Sequence, residues 1–367
     1  MIFLRENAQP VAPDGNYYSS ELHYCIDASA QLGGKVSVPV YTPVFSSTAA
    51  QDQKYPHSTR SSPHVAILMC SYNGERFLAE QIDSFERQTH RNWSLVVSDD
   101  GSQDSTLNIL QAYIDSWGQE RVKIVQGPQR GFVKNFLSLT CRTDINAEFF
   151  AWADQDDIWS ENKLHAALAW LQAVPRHIPA LYCSRTKLID ESGAPIGYSP
   201  RFRLPPSFSN ALVQNIGGGN TMVFNKAACH LIQEAGNNLD IPSHDWWAYQ
   251  LISGASGIIY YDPVPRVLYR QHDGNLVGSN SSWRARCQRL SMAVKGRFYE
   301  WNSQNIHALE TMYHRLAGES QMTLKHFKTA RNKRLYQRIS GVVRARVYRQ
   351  SFFGNVGLML ATLIKKI

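Results

Sequence analysis

The feature that most constrains the fold is an unbroken apolar run, Val65-Ala66-Ile67-Leu68-Met69-Cys70. A strand with one wet face alternates apolar and polar side chains. A continuous run marks a strand buried on both faces, the situation in parallel sheets covered by helices. The turn Ser71-Tyr72-Asn73-Gly74 follows, then a helical pattern from Glu75 to about Gln88 with Phe77, Leu78, Ile82 and Phe85 on one face. Further strands are expected over Trp93–Ser98, Val122–Gln126 and Glu148–Ala153, with helices over Asp104–Trp117 and Phe132–Leu139 between them. This alternation predicts an α/β fold built from parallel units. Such sheets bind ligands in loops at the carboxyl ends of their strands.

Two acidic clusters fall at those ends. Asp154-Gln155-Asp156-Asp157 directly follows an apolar strand. Three carboxylates in four positions repel one another, and holding them at a sheet end is costly unless a cation sits among them. Oxygen-rich sites of this kind suit Mg²⁺ or Mn²⁺. The plainer alternative is a solvated turn that caps a helix. At Asp99-Asp100-Gly101-Ser102, one carboxylate can accept from a nucleobase N–H while the other caps the next helix, or the whole segment can be a capped turn.

The remainder divides by composition. Residues 1–63 mix Ser, Ala, Gln, Pro and Gly with little periodicity and are expected to be a largely disordered extension. Val36–Phe45 is at most an edge strand, given its prolines. No secretory signal is expected from MIFLRENAQP, and no run approaches the roughly eighteen apolar residues of a membrane span. The six cysteines are scattered without a Cys-x-x-Cys pair, which argues against zinc or a disulfide framework and for a reducing cytosol. Residues 181–269 read as mixed α+β, and the chain turns helical and basic after Ser279. Much of the formal charge of +8 belongs to that tail, where Glu300, Glu310 and Glu319 are the only acids after Arg284. Phe352–Ile364 is apolar but too short to span, and beside a basic stripe it reads as an interfacial helix on anionic lipid, or else as a packed hairpin with a solvated face. Nucleic-acid binding is not expected, because aromatic, glycine and zinc-finger patterns are missing.

The order strand, SYNG, helix, QT, strand, DDGS, D-ST in residues 69–106 resembles the nucleotide-binding half of family 2 glycosyltransferases. WADQDDIWSENKL matches that family's Asp-x-Asp segment, and GNTMVFNKAA, SHDWW and YRQHDGN resemble its rhamnosyltransferase branch. The resemblance covers about Val65–Gly278 and implies a GT-A fold, a Rossmann-like nucleotide-binding sheet with a mixed acceptor half, here followed by a C-terminal helical extension. It divides the chain into residues 1–63, a GT-A domain at 64–278 and a basic helical region at 279–367. The implied activity is inverting, metal-dependent transfer of a sugar, L-rhamnose from dTDP-L-rhamnose, onto a lipid-linked glycan in surface polysaccharide synthesis. The protein would then act in the cytoplasm, peripheral at the inner membrane face. Transfer from a UDP-hexose or UDP-N-acetylhexosamine is the alternative, as is a non-catalytic nucleotide-sugar or membrane-binding protein on a degenerate scaffold.

Residue roles follow from the same resemblance. Tyr72, Glu75, Asp100 and Asp154 are expected at the nucleoside, Arg130 and Lys134 at the diphosphate. Asp156, Asp157 and His272 are expected at the Mg²⁺ or Mn²⁺ ion. Asp245 stands where the family has its catalytic base, although many members carry an acidic pair where this chain has His244-Asp245. A carboxylate between tryptophans is partly desolvated, which makes it more basic. Gly217-Gly218-Gly219-Asn220 lacks the spacing of a phosphate loop, so its glycines are expected to allow close backbone approach beside the acceptor.

Overall fold

The computed structural model describes residues 62–272 and 297–367. The expectations for Val36–Phe45, for nearly all of the N-terminal extension and for residues 279–296 lie outside these residues. The four expected strands form as β1 (Val65–Ser71), β2 (Trp93–Asp99), β3 (Val122–Gln126) and β4 (Phe149–Ala153). They alternate with α1 (Leu78–Glu86), α2 (Thr106–Trp117) and α3 (Phe132–Thr140). β5 (Ile158–Trp159), α4 (Lys163–Leu171), β6 (Ala180–Ile189), β7 (Pro195–Tyr198), α5 (Phe208–Ala211), β8 (Val223–Asn225), α6 (Lys226–Ala235), α7 (His244–Gly254) and β9 (Ile258–Arg270) follow.

The described strands make one sheet in the order β3-β2-β1-β4-β8-β6-β9-β5, with β7 beside β6. β1 runs parallel to β2 and β4, and β2 parallel to β3, while β8 is antiparallel to both β4 and β6. The apolar run of β1 shows why both faces are covered. Val65, Ile67 and Met69 enter one core with Leu78, Ile82 and Phe85 of α1 and Leu164 and Leu168 of α4. Ala66, Leu68 and Cys70 enter the other, with Phe136 and Leu137 of α3 and Trp247 and Leu251 of α7. Each large side chain buried in this way contributes about 1.5–3 kcal/mol.

Register decides where the ends of the strands meet. Ser71 pairs with Asp99 across β1 and β2, and Met69 with Ala153 across β1 and β4. The turns after β1, β2 and β4 therefore leave the sheet at one edge. β8 enters from that edge because it runs antiparallel to β4, with Ala151 opposite Val223. A short 3₁₀ turn, Gly219–Thr221, consequently lies beside the acidic turn.

The C-terminal helices are α8 (Arg297–Thr311), α9 (Gly318–Arg331), α10 (Leu335–Arg344) and α11 (Phe352–Leu363). They share the α7-side core through Leu309, Met312, Leu324, Phe327, Val342 and Leu358. Two tail arginines turn inward rather than to solvent. Arg331 donates to the Ile367 carbonyl, and Arg338 donates to the carbonyls of Thr362 and Leu363, closing the end of α11. Phe327→Ala, at a fully buried position, should cost about 3–5 kcal/mol in chemical denaturation. Because its neighbours belong to the sheet's own core, the loss should appear in a single transition followed by tryptophan fluorescence.

Candidate active site

The site begins with a reciprocal pair. The Tyr72 amide donates to Gln155 Oε1 at 2.9 Å, and Gln155 Nε2 donates to the Tyr72 carbonyl at 3.0 Å. This binds the turn after β1 to the acidic turn after β4. Gly74 is required there, since a Cβ would lie 2.3 Å from Gln155 Oε1. The Tyr72 ring remains exposed above the pair.

The three acids of the β4 turn diverge. Asp157 is fully buried, its Oδ2 accepting from Asn220 Nδ2 at 2.5 Å and its Oδ1 from the Arg270 amide at 3.1 Å. Both oxygens are turned into the protein to satisfy groups from β9 and the 3₁₀ turn. Asp156 stays near the surface, and its Oδ2 lies 2.7 Å from His272 Nε2. Asp154 is held near 8 by removal from water, then by the charges of Asp156 and Asp245. Its carbonyl accepts from Gln81 Nε2.

Two cations stand behind these acids. The Arg270 side chain is almost wholly buried, pairs with Glu80 and donates Nε to the Asp156 carbonyl at 3.0 Å. Lys163 is fully buried over the Trp159 ring, 3.1 Å from its centroid. Its Nζ has no hydrogen-bond partner among the described residues. Burial drives its pKa well below the usual lysine value, opposed by Asp157 and Asp154.

Asp245 opens α7. Its Oδ2 accepts from the Gly219 amide at 3.1 Å and its Oδ1 from the Trp246 amide at 2.6 Å. The preceding His244 is buried, stacked on Phe136 at 4.0 Å with its edge toward Trp152. A Cβ on Gly219 would lie 2.4 Å from His244 Nε2, so the expected close backbone approach is present and its partner is a buried imidazole.

Other sequence-predicted residues are engaged otherwise than expected. Asp100 accepts from the amides of Gln129 and Gly131 at 2.6 and 2.9 Å, which shapes the loop before α3. Glu75 accepts from the Ser105 amide at the start of α2. Lys134 donates to the Leu239 carbonyl and Arg130 reaches Asn238, so both meet the loop before α7 rather than the acids. Tyr72, Asp154, Asp156, Asp245 and His272 are brought to the same sheet edge. Sequence reasoning missed Asn220, Arg270, Gln155 and Lys163 as the residues that set the acids' directions. Lys163 reads locally as an ordinary polar residue at a helix start.

Asp156 and His272 offer an oxygen and an imidazole donor, both part-buried, beside the Asp154 carboxyl. Among the described residues no three His, Cys, Asp or Glu side chains form a closed cage. Mg²⁺ and Mn²⁺ do not need one, since they are held by one or two carboxylates with waters and substrate phosphates completing the shell. The donor set fits such an ion.

A family model described as glycosyl transferase family 2 matches residues 66–215. The dTDP-rhamnosyl transferase RfbG of Shigella flexneri is 30% identical over 245 residues, 63% of this chain and 80% of that protein. The chain belongs to glycosyl transferase family 2. The Escherichia coli UDP-Glc:alpha-D-GlcNAc-diphosphoundecaprenol beta-1,3-glucosyltransferase WfgD is 33% identical over 107 residues, 29% of this chain and 40% of its own length. A crystal structure of S. aureus TarS residues 1–349 with UDP-GlcNAc aligns over 77% of this chain and 89% of that one, at 16% identity and a TM-score of 0.46. As a family 2 glycosyltransferase the chain is an enzyme of α/β, GT-A type. The family match covers the segment from Tyr72 to Asp157 and ends before Asp245 and His272.

Burial pushes the pKa of His244 down to about 4, against the opposing charge of Asp245. The folded protein therefore binds fewer protons than the unfolded chain between about pH 6.5 and 4. His244 contributes stability that is complete above that window and lost as the pH falls through it, up to about 3 kcal/mol. Replacing it with the non-titrating glutamine, His244→Gln, should flatten this limb of the melting temperature measured from neutral pH to about pH 4.

Proposed function

We propose that this family 2 enzyme transfers L-rhamnose from dTDP-L-rhamnose, with inversion, to a hydroxyl of a lipid-linked glycan. The observation that carries sugar transfer is that neighbouring residues Gly219 and Asn220 bind Asp245 and Asp157, which brings the start of α7 to the acidic turn with Asp154 and Asp156. The similarity to the rhamnosyl transferase RfbG over 80% of its length supports the donor. A UDP-hexose donor is the second reading, favoured by the 33% identity with the glucosyltransferase WfgD. The engaged, ordered acids speak against a degenerate, non-catalytic scaffold.

In this mechanism Tyr72 offers its exposed ring to the nucleoside. Asp154, Asp156 and His272 face the diphosphate side, and Asp156 with His272 would hold the Mg²⁺ or Mn²⁺ ion. Such an ion, when bound, offsets negative charge on the leaving diphosphate. Asp245 removes the acceptor hydroxyl proton as that oxygen attacks the anomeric carbon from the face opposite the diphosphate. The carbon–oxygen bond to the diphosphate breaks, and the nucleoside diphosphate departs with its electron pair. The Gly219 and Trp246 amides fix the carboxylate for this transfer while leaving lone pairs free. In this reading a lipid-linked acceptor is met at the cytoplasmic membrane face, and no described helix is long and apolar enough to cross a membrane.

Hydrolysis of a panel of nucleotide sugars, with Mg²⁺, Mn²⁺ or excess chelator, tests donor and ion together. dTDP-rhamnose should be consumed fastest, and chelator should abolish turnover. Activity unchanged in chelator would remove the ion from the reading. Asp156→Ala should weaken donor binding in the presence of Mn²⁺, measured by calorimetry. Asp245→Asn should bind donor normally and lose about 10²–10⁴-fold in transfer rate. Wild-type turnover in that variant would leave Asp245 as a helix cap only.

A further inference from the structure

Among the described residues nothing covers the exposed face of α11, although the opposite face of the same helix is fixed. Leu358 and Thr362 are buried, and Arg338 closes the helix end through the Thr362 and Leu363 carbonyls. Outward stand Phe352 at 77% exposure, Phe353 at 84%, Leu360 at 54% and Ile364 at 56%, with Val356 and Leu363 between them. The spacing 353, 356, 360, 363 follows the helical repeat, so these side chains form one stripe. Contiguous apolar surface of this sort marks an interaction site rather than ordinary surface scatter.

The surroundings identify the partner's charge. After Glu319 the chain has eleven Lys and Arg residues and no Asp or Glu. Of these, Arg346 just before α11 and Lys365 just after it are exposed. The basic surface extends beyond the tail. Gln350 accepts from the Leu204 amide and donates to the Leu204 carbonyl, both at 2.9 Å, which staples the loop at 201–204 to the start of α11. That loop exposes Arg201, Arg203 and the Leu204 side chain.

We infer that the outer face of α11, with the stapled loop at 201–204, is a docking surface for an anionic lipid bilayer. The apolar stripe inserts at the headgroup boundary, and the flanking cations meet lipid phosphates. A second copy of the chain fits less well, because joining two such faces would oppose like charges. The inference rests on the membrane contact proposed above and is independent of donor and chemistry.

Vesicle co-sedimentation of the full chain is the test, using phosphatidylcholine alone and phosphatidylcholine with phosphatidylglycerol. Truncation after Arg344 would remove Leu358 from the core, so exposed positions are substituted instead. The intact chain should sediment with the anionic vesicles, more weakly in high salt and more weakly with neutral ones. Phe353→Ser with Leu360→Ser should reduce the bound fraction tenfold or more. Arg346→Glu with Lys365→Glu should reduce it by about fivefold per charge at low salt and little at high salt. Both variants should keep the wild-type melting temperature and wild-type transfer to a short soluble acceptor. Equal sedimentation of variants and intact chain overturns the surface assignment while leaving membrane contact standing. An intact chain that sediments with neither vesicle overturns both. A dimer in light scattering that the Phe353→Ser, Leu360→Ser variant breaks, without vesicle binding, assigns the face to a second copy and also overturns the inference.

Discussion

The site depends on one buried carboxylate. Asp157 accepts from Asn220 at the entry to β8 and from the Arg270 amide at the end of β9, so three chain segments meet on its two oxygens. An ionised group out of water is costly unless hydrogen-bonded, and breaking such an arrangement costs more than forming it gains. Arg270 reinforces the tie by holding the Asp156 carbonyl and pairing with Glu80 of α1. Direction follows from this: with Asp157 committed inward, Asp156 is turned toward His272. The direction of Asp156 is thus set by the buried acid beside it.

The same economy governs charge. Removal from water, then the charges of Asp156 and Asp245, push the Asp154 carboxyl up to about 8. Lys163 opposes this from inside, without a hydrogen bond among the described residues and against an indole face. An aromatic face attracts a cation through its quadrupole, and in a dry environment that attraction is strengthened.

Much of this was legible in the sequence. The unbroken run Val65–Cys70 specified a doubly covered strand, and the acidic clusters were correctly placed at strand ends. What was not legible is the direction of each acid. Asp157 lies one residue from Asp156, and only Asn220 and Arg270, 63 and 113 positions away, turn it inward. Asp100 and Glu75 look alike in the sequence whether they face a ligand or a backbone amide, because the amides they bind come from loops whose shape depends on tertiary packing. The tail shows the same limit: its basic count was plain, but nothing local distinguished Arg331 and Arg338, which brace the helices, from the cations left outside.

The contact between Gly219 and His244 makes two distant positions a single unit of change. The amide that steadies Asp245 comes from a residue with no room for a side chain, and the room is taken by the imidazole of His244, the residue before Asp245 in α7. A larger residue at 219 demands a smaller one at 244. Growth at Gly219 must therefore proceed in pairs, with the coupled positions contributing non-additively to stability.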